Sequence, residues 1–127
     1  MDKLAYSKLI EKAKHFAQNA YCPYSDNPIG CCVLTQNGMI YGGCNIELVT
    51  LGESLGAVEV AVSKAVSEGV LQIIAVAIYS DNIMPYPTGA ERQLIKEFNN
   101  RTQIIVASKD GVEQLNIQEL LPYSREK

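Results

Sequence analysis

The sequence has little of what metal-binding, membrane and nucleic-acid-binding proteins usually contain. It has one histidine, His15, and its four cysteines include no C-x-x-C pair, so a metal site of histidine and cysteine has little to draw on. No apolar run approaches the roughly 20 residues of a membrane-spanning helix. The net charge is −3 and no basic cluster is present. We therefore expect neither nucleic acid nor membrane as a partner.

The cysteines also argue against a disulfide framework. Residues 1–19 are charged and amphipathic and lack the apolar core of a signal peptide, so we expect a cytoplasmic location, where thiols stay reduced. Cys31 and Cys32 are adjacent in a predicted strand, and their side chains should therefore face opposite sides of a sheet. We interpret all four cysteines as small buried apolar residues.

Length and composition are those of one globular domain. The chain has 127 residues, of which 47% are hydrophobic and 20% are charged. These values predict a single domain spanning residues 1–127.

Hydrophobic periodicity predicts alternating helices and strands. The predicted helices are Lys3–Asn19, Leu55–Val66, Ala90–Asn99 and Asn116–Leu121, and the predicted strands are Ile29–Thr35, Met39–Asn45, Ile73–Tyr79 and Gln103–Ala107. Asn37-Gly38 is a strong hairpin signal between the first two strands. The order α-β-β-α-β-α-β-α indicates a mixed sheet with helices packed on it.

Several stretches of the sequence follow one another in a recognisable order. They are Y-C-P-Y-S-D-N-P-I-G from Tyr21, G-C-N-I-E from Gly43, and P-Y-P-T-G-A-E-R-Q-L-I-K-E-F from Pro85. In sequence and spacing they resemble the short cytidine deaminases. The resemblance covers nearly the whole chain and implies an α/β fold: a three-layer α/β/α sandwich with a five-stranded mixed sheet. It also implies a homotetramer.

The same resemblance places the family's metal site on residues of a different kind. Its zinc cysteines fall on Gly56, Thr88 and Glu91, and its catalytic glutamate falls on Val58. Glycine and valine offer no donor atom, and one carboxylate with one hydroxyl is far from the four-ligand set that zinc requires. From these four positions we expect no metal, no cofactor and no catalytic residue.

A sugar-binding half of the family site is present in the sequence. Asn45 and Glu47 match an N-x-E motif whose side chains bind ribose hydroxyls in the family, and an amide with a carboxylate is suited to that task. The alternative is that both residues only close a turn after the second strand. Asn27 stands where the family has an aromatic residue that stacks on the base, so the pocket should be partly filled or suited to another ligand.

Three hypotheses about function follow, ranked from the most to the least favoured. The first is a catalytically inactive protein that binds a nucleoside-like ligand or serves as a non-catalytic subunit. The second is an enzyme of different chemistry in the same cleft, with Glu91, Glu53 or Glu47 as acid or base. The third is an active cytidine deaminase.

Two further glutamate predictions concern the helix starts. Glu59 follows Val58, and a rotation of about 100° per helical residue should point it away from the site, either towards Arg92 or into solvent. Thr88-Gly89-Ala90-Glu91 has the spacing of a capping box. The rival hypothesis is that Glu91 turns into the pocket as a catalytic or ligand-binding carboxylate.

Overall fold

The computed structural model describes residues 3–126. The helices are α1 (Lys3–Ala17), α2 (Ala57–Ser67), α3 (Gly89–Phe98) and α4 (Ile117–Leu120), and the strands are β1 (Ile29–Thr35), β2 (Ile40–Cys44), β3 (Ile73–Ser80), β4 (Gln103–Ala107) and β5 (Val112–Asn116). A short 3-10 turn at Leu51–Glu53 precedes α2.

The five strands form one mixed sheet in the order β2-β1-β3-β4-β5. β1 is antiparallel to both β2 and β3, β3 is parallel to β4, and β4 is antiparallel to β5. The parallel pair is joined by a crossover that contains α3, as parallel neighbours require. The predicted five-stranded mixed sheet is therefore confirmed.

Helices cover both faces of the sheet. On one face Leu9 and Ala13 of α1 pack on Cys32, and on the other face α2 and α3 pack on a cluster that contains Cys31. The adjacent cysteines therefore lie on opposite sides of the sheet, as predicted. Because β3 and β4 are central, their side chains are buried on both faces, which explains their nearly continuous apolar sequence.

Two glycines mark turns that the sequence predicts. Gly38, in the turn between β1 and β2, has a φ of 85°, and Gly69, after the end of α2, has a φ of 87°. Residues with side chains rarely adopt this conformation. Gly38 forms the predicted hairpin turn together with Asn37, and Gly69 is the residue that ends α2.

The pattern-based prediction missed β5 and misplaced the start of α2. The sequence of β5 is V-E-Q-L-N, and its first three residues are exposed because it is an edge strand, so it shows no apolar run. Leu55 lies before α2, where it pairs with Ile46 in an isolated bridge. Across residues 3–126, no helix has the length and apolar character to cross a membrane.

Candidate functional site

The starts of α2 and α3 meet beside the 3-10 turn and enclose a cavity. Its volume is about 500 Å³, which lies within the few hundred to about 1,000 Å³ typical of ligand sites. The lining includes Gly52, Ser54, Gly56, Glu59, Thr88 and Glu91. Two carboxylates thus face one cavity from two helix starts.

The cavity, at about 500 Å³, is large enough for a nucleoside-sized molecule. Ser54 connects it to the segment before the 3-10 turn, because its Oγ accepts a hydrogen bond from the Leu48 N–H at 2.9 Å. The cavity therefore lies next to the N-I-E motif without including Asn45 or Glu47 in its lining.

Thr88 and Glu91 form the predicted capping box at the start of α3. The Glu91 N–H donates to Thr88 Oγ1 at 3.1 Å, and the Thr88 N–H donates to Glu91 Oε1 at 3.0 Å. Both helix-start donors are satisfied by side chains, and the negative charge of Glu91 lies at the positive end of the helix. The capping prediction is confirmed.

Replacing Thr88 with alanine should lower the free energy of unfolding by about 1 kcal/mol, the usual cost of deleting an N-cap side chain. Urea unfolding followed by circular dichroism measures this change. Thr50→Ala is the matched control, because Thr50 precedes the 3-10 turn and its side chain makes no capping hydrogen bond. Equal losses in the two variants would contradict the assigned role of Thr88.

Glu91 also faces the cavity, because its second oxygen points towards Gly56. The rival hypothesis of a catalytic or ligand-binding role stays a prediction. A Cβ atom built at position 56 would lie only 2.3 Å from Glu91 Oε2. The hydrogen bonds of Glu91 involve Oε1 and its backbone N–H, so Oε2 accepts none from residues 3–126. One carboxylate therefore both caps α3 and fills the space in front of Gly56.

Val58 does not face this cavity. It is 1% exposed and belongs to the core beneath the sheet. Its side chain packs there with other apolar residues and has no chemical role in the cavity.

The prediction for Glu59 is wrong. Its Oε1 accepts a hydrogen bond from the Gly56 N–H at 3.1 Å, and its side chain lines the cavity. Arg92 instead donates to the carbonyl oxygens of Pro87 and Leu120. The physical reason is that a glutamate in the first turn folds back onto a free helix-start N–H. The G-x-x-E spacing at Gly56 could have revealed this.

Asn45, which directly follows β2, is bonded to Asn27 in the loop before β1. Asn45 is 8% exposed, its Oδ1 accepts from the Ile29 N–H at 2.9 Å, and its Nδ2 donates to the Asn27 carbonyl at 3.0 Å. Asn27 Oδ1 in turn accepts from the Ser80 hydroxyl at 3.0 Å. The two amides therefore hold this loop against the sheet.

Glu47 holds the preceding part of the same loop. Its Oε1 accepts hydrogen bonds from the Tyr24 and Ser25 N–H groups at 3.1 and 3.0 Å. Hydrogen bonding from the Ser25 side chain, and then from these backbone amides, lowers the pKa of Glu47. At neutral pH it is therefore a carboxylate.

Cys31 is fully buried in the core, within electrostatic range of Glu91, and is unsuited to act as a thiolate. Burial raises the pKa of its thiol well above the ordinary value, and the neighbouring Cys32 and Glu91 raise it further. A neutral thiol is a weak nucleophile and a weak metal ligand.

Comparison with known proteins points to one family. Residues 1–80 match the family model described as the cytidine and deoxycytidylate deaminase zinc-binding region. A protein named cytidine deaminase from Sporosarcina psychrophila is 39% identical over 118 residues, which are 91% of this chain and 87% of that protein. Another so named, from Halalkalibacterium halodurans, is 33% identical over 90% of this chain and 89% of its own length.

Solved structures agree with the sequence relatives. The crystal structure of cytidine deaminase from Burkholderia pseudomallei has a TM-score of 0.89 to this chain, with 28% identity over 98% of this chain and all of that one. Cytidine deaminase from Mycobacterium tuberculosis has a TM-score of 0.84, with 27% identity over 96% of this chain and 98% of that one.

The family description implies zinc, and the side chains at the four matched positions do not fit it. Gly56 has no side chain, Val58 is buried in the core, and Thr88 and Glu91 are bonded to one another's backbone. Within residues 3–126, no group of three or more histidine, cysteine, aspartate or glutamate side chains is arranged to hold a metal ion.

The prediction of an inactive protein, leaning against an enzyme, is contradicted by these comparisons. It rested on four positions, whereas relatives that are 33–39% identical over about nine tenths of the chain are named for an enzymatic activity. Four substitutions in one corner of a fold are weaker evidence than similarity along its length. On both the family model and these relatives, this chain belongs to the cytidine deaminase family.

Proposed function

We propose that this chain is an enzyme that removes the amino group of cytidine, or of a closely related cytosine nucleoside, by hydrolysis. The observation that carries the proposal is the cavity between the starts of α2 and α3, at the positions where the family resemblance places the reaction. It holds two carboxylates, Glu59 and Glu91, and proton transfer by a positioned carboxylate is a recognised route to hydrolysis.

The proposed reaction needs a carrier for the two protons of water. The water oxygen bonds to C4 of the base, the bond from C4 to the amino nitrogen breaks, and ammonia leaves. One proton of the water ends on N3 and the other on the departing amino group. Glu91 is the proposed carrier, because its Oε2 faces the cavity and accepts no hydrogen bond from residues 3–126.

General acid–base catalysis contributes about 10²- to 10⁴-fold, so we expect slow turnover. The test is incubation of the purified protein with cytidine, with uridine measured by liquid chromatography and ammonia by an enzymatic assay. The proposal predicts uridine and ammonia in equal amounts. Their absence at high protein concentration would contradict it.

We further propose that Asn45 and Glu47 contact the sugar of the nucleoside. Glu47 supports this because it is a half-buried carboxylate in the segment next to the cavity, and Asn45 supports it by fixing the loop that Glu47 also holds. Asn27 completes this fixed loop through its bonds to Asn45 and Ser80.

Replacing Glu47 with glutamine should raise KM for cytidine by about tenfold, because a hydroxyl then loses a charged acceptor. The amide oxygen can still accept from the Tyr24 and Ser25 N–H groups, so the loop should keep its shape. Binding of free cytosine, which has no sugar, is the control and should not change. An equal loss for cytosine would assign Glu47 a purely structural role.

Assembly as a homotetramer is also proposed. In its support, Leu48, Val49, Leu51 and Leu55 are 40% to 82% exposed within one short segment next to the cavity, and such a group of apolar side chains favours association. Light scattering at micromolar concentration would contradict the proposal if it gave the mass of a single chain.

A cytoplasmic location and a single domain over residues 1–127 complete the proposal. The four free cysteines support the cytoplasmic location, since a reducing compartment keeps thiols unpaired. The continuous five-stranded sheet supports the single domain. Trypsin digestion that released a stable fragment well short of the full chain would contradict a single domain, and cell fractionation tests the location.

A further inference from the structure

The starts of α2 and α3 are each closed by a glutamate of their own first turn. Glu59 accepts from the Gly56 N–H, and Glu91 accepts from the Thr88 N–H. The second oxygen of Glu91 also spans the gap between the two helices, because it lies where a side chain at position 56 would begin. The conformation of Glu91 and a side chain at position 56 therefore exclude one another.

We propose that the Glu91 carboxylate occupies the place for which the family description implies a zinc ion, and that this chain holds no zinc there. The donor atoms carry the argument. A zinc site takes three protein ligands and a water, or four protein ligands, of nitrogen, sulfur or oxygen type. Here the carboxylates of Glu59 and Glu91 each have one oxygen engaged with a helix start, and residues 3–126 supply no third ligand beside them.

The replacement also explains why the helix starts remain ordered. A metal ligand at a helix start would orient the chain through a bond to the ion. In this chain Thr88 and Glu91 orient it through reciprocal hydrogen bonds, and Glu91 adds a favourable charge at the helix terminus. This inference does not rest on the proposed reaction, because its tests use neither cytidine nor turnover.

The first test is the metal content of protein expressed in zinc-supplemented medium and dialysed against metal-free buffer. The proposal predicts far less than one zinc per chain by elemental analysis, and a melting temperature that a chelator does not change. About one zinc per chain, retained through dialysis, would overturn it. The variant Gly56→Cys/Thr88→Cys/Glu91→Cys supplies three thiols at the same positions and should gain about one zinc. A folded triple variant that binds no zinc would overturn the proposal, because it would show that these three positions do not form a zinc site.

The second test needs no metal measurement and uses alanine at position 56. Gly56→Ala should lower the melting temperature by about 5 °C, because the new methyl group displaces Glu91 from its cap. In the Glu91→Ala background the same substitution should cause no further loss. Gly89→Ala is the matched control at the start of α3, because an added Cβ meets nothing within 4 Å there. Equal losses from Gly56→Ala with and without Glu91 would overturn the proposal.

Discussion

Replacing Glu91 with glutamine is expected to lower kcat/KM for cytidine by about 100-fold or more, the usual contribution of a general acid–base group. Glutamine is isosteric with glutamate and is accepted at the same position of a capping box. It can therefore keep the hydrogen bond from the Thr88 N–H, but it cannot carry a proton. The loss should appear in kcat, while the melting temperature changes little.

Glu53→Gln is the control for this loss. Glu53 lies in the exposed 3-10 turn beside the cavity, and its substitution removes the same charge. Turnover by Glu91→Gln equal to that of the wild type would contradict the role proposed for Glu91. An equal drop in Glu53→Gln would assign the effect to net charge.

Replacing Gly30 with alanine is expected to destabilise the fold by about 3 kcal/mol or more, the upper end of the range for overpacking. A Cβ at this position would lie 1.9 Å from the Ala13 carbonyl oxygen and 2.4 Å from the Ala17 nitrogen. Both are backbone atoms of α1, so no side-chain rotation relieves the clash, and the helix must move away from the sheet. Such a loss is a large part of the 5–15 kcal/mol that stabilises a typical domain.

Urea unfolding measures the loss at Gly30, with Gly111→Ala as the control. Gly111 lies in the turn between β4 and β5, and an added Cβ meets nothing within 4 Å there. Its substitution should change stability by only a few tenths of a kcal/mol. If Gly30→Ala were as stable as Gly111→Ala, α1 would not pack on β1 as closely as described.

Apolar runs, turn residues and capping patterns in the sequence predicted those elements of the fold whose packing follows the same local pattern. The ends of β1 and β4 match their predicted bounds because both strands are apolar runs bounded by turn residues. The capping box of Thr88 and Glu91 was predictable because its geometry depends only on a four-residue spacing. β5 was not, because an edge strand with exposed polar residues has no hydrophobic period.

The candidate site was harder to predict, because contacts between elements decide it. The sequence alone treated capping and facing the cavity as alternatives for Glu91, whereas one side chain does both: Oε1 caps α3 and Oε2 points towards Gly56. The prediction for Glu59 was wrong because it considered only the rotation per helical residue. It did not consider that the Gly56 N–H lacks a partner within the helix and draws the Glu59 carboxylate towards it. The activity was misjudged because four substituted positions outweighed a resemblance that extends along the chain.

The most direct test of the account is the initial rate of uridine formation from cytidine by wild-type protein that has been dialysed against a zinc chelator. We expect uridine and an equal amount of ammonia, formed at the same rate before and after chelation. No uridine at all, or uridine that appears only when zinc is returned, would contradict it.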